Sequence, residues 1–217
     1  MCASRPSSKW PDRVTHKTPE AIPAFQTSGV ERLQQVIPPA HTWPVRGFSQ
    51  DESRFGLLTV RRRRLTARGV QPTGRVQPGF EWFDVYGAVA PTTGDRFFLE
   101  WPYLNTDGFQ IFIDAFAAAF PDSLNLLVLD NSGAPTAQRL TLPANVRLVF
   151  LPPYCPELHP IERVWRELKA ALGWRQFPTL DVQHDYLATL LRGYEAVTLQ
   201  ALTGDTYLVE AIHALCP

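Results

Sequence analysis

One stretch constrains the fold more than any other: Leu126 to Leu172, LLVLDNSGAPTAQRLTLPANVRLVFLPPYCPELHPIERVWRELKAAL. It contains two short, almost uninterrupted apolar runs, Leu126 to Leu129 and Val146 to Leu151. Runs of that length read as strands buried on both faces of a sheet. A helix follows, beginning near Pro160, where the fixed φ of proline suits a first helical turn. Its apolar face is Ile161, Val164, Trp165, Leu168 and Leu172. This order leaves Asp130 at the end of the first strand and Glu162 in the first turn of the helix. The second strand returns the chain, so the two acids can meet.

At 217 residues, with 45% hydrophobic and 12% aromatic residues, the chain is long enough and apolar enough for one packed domain. Residues 1–40, rich in Pro, Ser and Thr, read as a poorly packed lead-in with a short helical candidate near Val30 to Val36. Residues 41–217 read as the domain proper. VRGFSQDESRFGLLTV reads as strand, acidic turn and strand, and RRRRLTARGVQPTGRVQPGFEW as short strands punctuated by Gly and Pro. FDVYGAVAPTTGDRFFLEW reads as a hairpin around a Pro-Thr-Thr-Gly-Asp turn. Thr106 to Phe120 has its phenylalanines at helical spacing, with Thr106 or Asp107 as cap. A short helix near Thr136 to Leu140 is expected between the two buried strands. Two or three amphipathic helices, built on Tyr186, Leu187, Leu190, Leu191 and Tyr194 and then on Tyr207, Leu208, Ile212 and Leu215, close the chain. Strands first and alternating helix and strand afterwards predict an α/β sheet with antiparallel and parallel parts, covered by helices on both faces.

The formal net charge is zero, yet eight arginines between Arg46 and Arg75 face only Asp51 and Glu52, whereas five acids from Asp181 onward face Arg192 alone. Such asymmetry suits a polyanion lying along one face. No apolar stretch is long enough for a bilayer and no signal-peptide core is visible, which predicts a cytoplasmic protein with no membrane partner. Cys2, Cys155 and Cys216 are too scattered for a zinc or redox motif and read as reduced thiols.

Each candidate acid has a structural alternative. Asp130 with Asn131 can simply start a turn. Glu162 suits the positive end of a helix dipole, and Arg166 can pair with it at i+4. Asp51 and Glu52 can be solvated turn residues. Of these two, Asp51 is the better third acid, because Asp84 lies inside a hairpin strand and Asp114 inside a helix. Three carboxylates from separate elements suit hard divalent cations with open positions. Two such ions support in-line displacement at phosphorus. Phosphate-binding glycine loops, HExxH and GxSxG are all missing.

Three blocks, GFSQDESRFGL, VLDNSGAPTAQRL and VRLVFLPPYCPELHPIERVWRELK, resemble the catalytic domain of bacterial insertion-sequence transposases of the mariner superfamily. The resemblance spans roughly residues 45 to 172. It implies a DDE enzyme with a ribonuclease H-like (retroviral-integrase-like) mixed sheet flanked by helices. It also implies metal ligation and catalysis by Asp51, Asp130 and Glu162, with Mg²⁺ or Mn²⁺, two ions, as cofactor. The implied reaction is cleavage of DNA strands at transposon ends and joining of the freed 3′ hydroxyl to target DNA. Asn131 and Glu157 match the family pattern as well. Two positions depart from it: Pro135 stands where a histidine is usual five residues beyond the second Asp, and His159 stands where Asn is usual before Pro-Ile-Glu. Neither change removes a metal ligand.

The expected partner is double-stranded DNA, both transposon ends and target, with Arg61, Arg62, Arg63, Arg64, Arg68, Arg166 and Lys169 on phosphates. Strand alternation would let at most two of the four consecutive arginines share a DNA-facing side. A solvated, strand-protecting edge is the alternative for that run. Trp82, Trp101 and Trp165 read as core. Complete family members carry an N-terminal helix-turn-helix region, which is not visible here. The protein partners are therefore a separately encoded helix-turn-helix protein and a second copy as homodimer, and the location is the bacterial cytoplasm, on the nucleoid when bound to DNA. Two other functions fit the same residues: a ribonuclease H-like nuclease that hydrolyses without joining strands, and a non-catalytic remnant that binds DNA or a full-length transposase.

Overall fold

The computed structural model describes residues 29–63, 65–70, 73–130, 139–152, 159–204 and 206–215. Five strands form one sheet: β1 (Val45–Gly56), β2 (Trp82–Val89), β3 (Arg96–Trp101), β4 (Leu124–Leu129) and β5 (Val146–Phe150), in the order β3-β2-β1-β4-β5. β1 pairs antiparallel with β2 and parallel with β4. β2 pairs antiparallel with β3, and β4 parallel with β5. The helices are α1 (Thr106–Ala119), α2 (Glu162–Ala171), α3 (Leu180–Gly193), α4 (Ala196–Thr203) and α5 (Thr206–His213). The mixed sheet between helices is the expected ribonuclease H-like arrangement.

Both faces of the sheet are buried. On one, Phe48, Tyr86, Leu127 and Leu129 meet Phe109, Phe112, Ile113 and Phe116 of α1. Phe48 and Phe116 touch edge to face at 4.9 Å, the geometry that ring quadrupoles favour. On the other face, α2, α3 and α4 cover Phe55, Phe83, Val85 and Val89. There too, α5 and the helical turn over 29–35 cover Val45, Leu126, Val128 and Val149. Residues 29–37 fall inside the stretch read from sequence as a poorly packed lead-in, yet Leu33 is buried and Val30, Val36 and Ile37 pack beside it. No described helix is long and apolar enough to cross a membrane.

Several sequence expectations need correction. β1 is one strand of twelve residues, with no acidic turn at Asp51, because β2 pairs with it from Ser49 through Gly56. Among the described residues of 57–81 there is no strand. Leu57 N–H to the Glu81 carbonyl and Thr59 N–H to the Gln77 carbonyl only prolong the β1–β2 ladder, and Pro78 lacks an N–H to carry it further. Arg61, Arg62 and Arg63 are therefore irregular backbone, and strand alternation does not apply to them. The cap of α1 is Asn105, whose side chain accepts the Gly108 N–H at 2.6 Å, in place of Thr106 or Asp107. Trp165 is core and Trp101 half-buried, but Trp82 is 47% exposed under the Arg54 guanidinium. Most of the helix expected near Thr136 to Leu140 lies outside the described residues. The β2–β3 hairpin is as expected. Gly94 turns it at φ 73°, where a Cβ would also strike the Ala196 carbonyl oxygen.

Candidate active site

β1 and β4 run parallel with Ser49 opposite Val128. Carried two residues further, the same register sets Asp51 beside Asp130, on the same face of the sheet. That face is the one α2 covers. Ile161, fully buried, fixes the start of α2 by donating its N–H to Ser49 Oγ at 3.4 Å, which brings Glu162 to the middle of β1 and the end of β4. The three acids thus come from three elements pinned to one another by backbone and core.

Trp165, one turn into α2, donates its indole Nε1–H to Asp51 Oδ2 at 3.0 Å. It can approach so closely because Gly87 is the β2 residue opposite Asp51. A Cβ at Gly87 would lie 2.5 Å from Trp165 Cη2. His159, also buried, places Nδ1 4.0 Å from Asp51 Oδ2 and Nε2 3.3 Å from the Val128 carbonyl oxygen.

The Asp51 side chain is 17% exposed, and burial pushes its pKa from 3.8 up to about 7. The Glu52 backbone N–H and the Trp165 indole oppose the rise, while the charges of Glu162 and Asp130 add to it. No lysine or arginine pairs with Asp51 among the described residues. Glu52, one residue on, points to the opposite face. It lines a cleft of about 250 Å³ with Tyr86, Asn105, Phe109 and Leu129, and accepts from Gln50 Nε2 at 3.2 Å. Burial and then the Asp51 charge raise it from 4.5 to about 7. Burial lowers the His159 pKa, which favours the neutral ring.

The charges of Asp130 and Glu162 therefore both act on Asp51. Among the described residues, however, no group of three His, Cys, Asp or Glu side chains stands close enough to hold a metal ion. The donor chemistry fits a divalent cation: carboxylate oxygens, with that of Asp51 largely buried and without a lysine or arginine partner among the described residues. Coordination by all three would require Asp130 and Glu162 to close on Asp51.

Of the arginines, Arg62 lies against α2. Arg62 donates Nη2–H to the Arg166 carbonyl at 2.8 Å, so its head is partly engaged inside the protein. Trp174, at φ 61° just past α2, receives the segment by donating N–H to the Val60 carbonyl and Nε1–H to the Arg62 carbonyl, at 2.9 and 2.8 Å. Arg61, Arg63, Arg68 and Arg166 are exposed, and Lys169 sits 5.9 Å from the Phe55 ring. Arg166 makes no ion pair with Glu162. Arg64, Asn131, Pro135 and Glu157 lie outside the described residues. Sequence reasoning missed two site contacts, the indole donor of Trp165 and the second half-buried acid, Glu52. An apolar-face position hid the first, and the turn reading hid the second.

A family model described as DDE superfamily endonuclease matches residues 48–182, more than half of the chain. The chain belongs to the DDE superfamily endonucleases. It is 35% identical over 89 residues to "Uncharacterized protein y4pE/y4sA" of Sinorhizobium fredii (strain NBRC 101917 / NGR234), across 41% of this chain and 66% of that protein. Among solved structures, this DDE domain superposes on the Mos1 Strand Transfer Complex with TM-score 0.61 at 14% identity, covering 100% of this chain and 67% of that one. It superposes on the Mos1 mariner paired end complex with Mn with TM-score 0.59 at 13% identity, covering 98% and 64%. These likenesses show a shared mariner-type, ribonuclease H-like fold. The DDE domain spans about two thirds of the length of the proteins it matches.

Proposed function

We propose that this DDE domain carries out divalent-metal-dependent cleavage of DNA strands and strand transfer in transposition, acting on transposon ends and target DNA. The single observation carrying this reading is the largely buried Asp51 carboxyl, acted on by the charges of Asp130 and Glu162 and given no lysine or arginine partner among the described residues. Asp51, Asp130 and Glu162 would hold Mg²⁺ or Mn²⁺. When bound, two such ions supply an activated nucleophile and a stabilised leaving oxygen at phosphorus. The chain's own part is to fix the acids: Ser49 anchors the start of α2, Gly87 admits Trp165, and the Trp165 indole orients the Asp51 carboxyl. Arg61, Arg63, Arg68 and Arg166 supply positive charge for the DNA backbone alongside α2, a contact without base reading. The same reading extends to Arg62, Arg64 and Lys169. A homodimer and a separately encoded helix-turn-helix partner belong to the same proposal.

The test combines supercoiled plasmid, a duplex oligonucleotide with a free 3′ hydroxyl, and Mn²⁺. Nicking and covalent insertion of the oligonucleotide are expected from the wild type and not from Asp130→Ala or Glu162→Gln. Nicking that survives either substitution overturns the assignment, and nicking without insertion selects the hydrolytic nuclease. One observation favours a second reading, a non-catalytic domain that binds DNA or a full-length transposase: the three carboxyls are not gathered to coordinating distance. Mn²⁺-independent DNA binding with no cleavage would select it.

A further inference from the structure

β3 is the last strand on its side of the sheet, and among the described residues no strand pairs with its outer edge. An open edge is a row of unused N–H and C=O groups, and β3 carries no proline or lysine to guard it. The Ala90 N–H reaches the Asp95 carbonyl at 2.8 Å, so this pair is hydrogen-bonded across the hairpin. Alternation along an antiparallel ladder then leaves Arg96, Phe98 and Glu100, opposite Val89, Gly87 and Val85, with N–H and C=O directed away from β2. These three residues are self-complementary about Phe98. Two copies of β3 running antiparallel, Phe98 opposite Phe98, bring Arg96 of each against Glu100 of the other.

α3 repeats this symmetry one layer above the sheet. It is pinned over β3 at both ends, by the contact of His184 with Glu100 and by the Arg96 guanidinium on the Arg192 carbonyl at 3.2 Å. The rise from His184 to Arg192 is about 12 Å and that from Arg96 to Glu100 about 13 Å, so Ala188 stands over Phe98. Leu187 and Leu191 face the sheet, which puts Ala188 and the acid Asp185 on the flank nearest the β3 edge. About an axis through Phe98, the small Ala188 side chain meets its own copy and admits a second helix. Arg192 then comes beside the second copy's Asp185, the reciprocal pairing that a two-fold interface requires.

The same row contains a candidate metal-binding acid. Asp51 is the partner of Gly87 across β1 and β2, and Gly87 is the partner of Phe98 across β2 and β3. A two-fold axis at Phe98, perpendicular to the sheet, therefore sets both Asp51 residues in one row and on one face. Five strand spacings separate them, about 24 Å.

We propose that a second copy of this chain docks by antiparallel pairing of β3, with Phe98 and Ala188 on the two-fold axis, to make one continuous sheet that carries two candidate centres on the same face. This inference rests on the homodimer of the proposed function, for which it names the surface, and not on metal binding.

The test is sedimentation velocity of the full chain over a concentration series, together with oxidative crosslinking of Ala188→Cys in a chain whose Cys2, Cys155 and Cys216 are replaced by serine. The wild type is expected to dimerise, and Ala188→Cys to give a disulfide-linked dimer that Ala119→Cys, exposed at the far end of α1, does not. Ala188→Glu, which sets like charges on the axis, weakens the dimer about tenfold or more. Arg192→Glu weakens it as well, and adding Asp185→Arg restores it, a rescue that a purely local role for either residue would not produce. A wild type that is monomeric at every concentration overturns this inference and the homodimer, and leaves the metal-dependent reading standing. A dimer without the Ala188→Cys crosslink, or one unmoved by Ala188→Glu and Arg192→Glu, overturns this inference alone. The crosslink decides even if Ala188→Glu does not fold.

Discussion

Gly87→Ala is the smallest change that tests how the site is built. The added Cβ would lie 2.5 Å from Trp165 Cη2, 2.8 Å from Trp165 Cζ2 and 2.9 Å from Phe98 Cε1. Carbon atoms rest at about 3.5–4.0 Å, so the overlaps approach about 1 Å. The indole cannot turn aside, because it is 2% exposed between Phe55 and Phe98, with ring centroids 6.3 and 5.9 Å away. Overpacking of this kind costs about 1–3 kcal/mol. Displacing the indole also removes its hydrogen bond to the Asp51 carboxylate, worth about 1.5–3 kcal/mol for a charged acceptor. Against this, alanine in place of a strand glycine returns about 0.5–1 kcal/mol. The net expectation is a loss of about 2–5 kcal/mol, read as a shift in urea midpoint at unchanged slope. The control is a double-mutant cycle with Trp165→Phe. Phenylalanine lacks the second ring that carries Cη2 and Cζ2, so the double variant should be more stable than the sum of the two single losses by about 1 kcal/mol or more. A Gly87→Ala loss under about 1 kcal/mol, or strictly additive variants, would refute the reasoning.

Three further outcomes follow from the same contacts. Because burial raises the Asp51 pKa from 3.8 to about 7, the folded protein favours the protonated acid. Its stability contribution is therefore present below about pH 4 and lost as pH rises through about 7. Asp51→Asn, measured by thermal or urea unfolding without divalent ions, should match the wild type near pH 4 and exceed it at pH 8. The ceiling of that gain is on the order of 4 kcal/mol; equal stabilities at both pH values would count against the buried carboxylate. Trp174→Ala removes the indole hydrogen bond that staples the Arg62 carbonyl to the end of α2 and leaves the backbone bond to Val60. Duplex-DNA binding should weaken, with the salt slope falling by about one for each arginine released, and an unchanged slope would mean the staple does not position them. Arg54→Ala strips the partner from Asp84, whose side chain is fully buried, while the Arg54 side chain is 58% exposed. A destabilisation of about 2 kcal/mol is expected, between the values for surface and buried pairs, and Asp84→Asn in the same background should restore part of it.

The parts of the fold legible in the sequence are those where burial is continuous or strictly periodic. Leu126 to Leu129 is buried on both faces and reads as an unbroken apolar run, so Asp130 is found at its end. The apolar spacing of α2 places Glu162 in the same way. β1 was harder because Ser49, Gln50 and Ser53 are polar yet buried. Their burial comes from α2 on one side and the cleft on the other, neither of which local pattern reports, so GFSQDESRF looks like a turn. Trp165 looks like core and is core; only the register of β1 against β2 shows that its indole edge meets Asp51. The arginine run suggested a strand because consecutive residues invite an alternating reading, but the carbonyls of Val60 and Arg62 bond to Trp174, far along the chain.

The claim beneath the functional reading is that Asp51, Asp130 and Glu162 share divalent ions. Free Mn²⁺ counted by EPR during titration of the wild type, Asp51→Asn, Asp130→Asn and Glu162→Gln tests it most directly, with circular dichroism confirming that each variant is folded. The account predicts saturable binding to the wild type that every one of the three substitutions weakens about tenfold or more. Binding of equal strength in all four proteins, or none in the wild type, would contradict it.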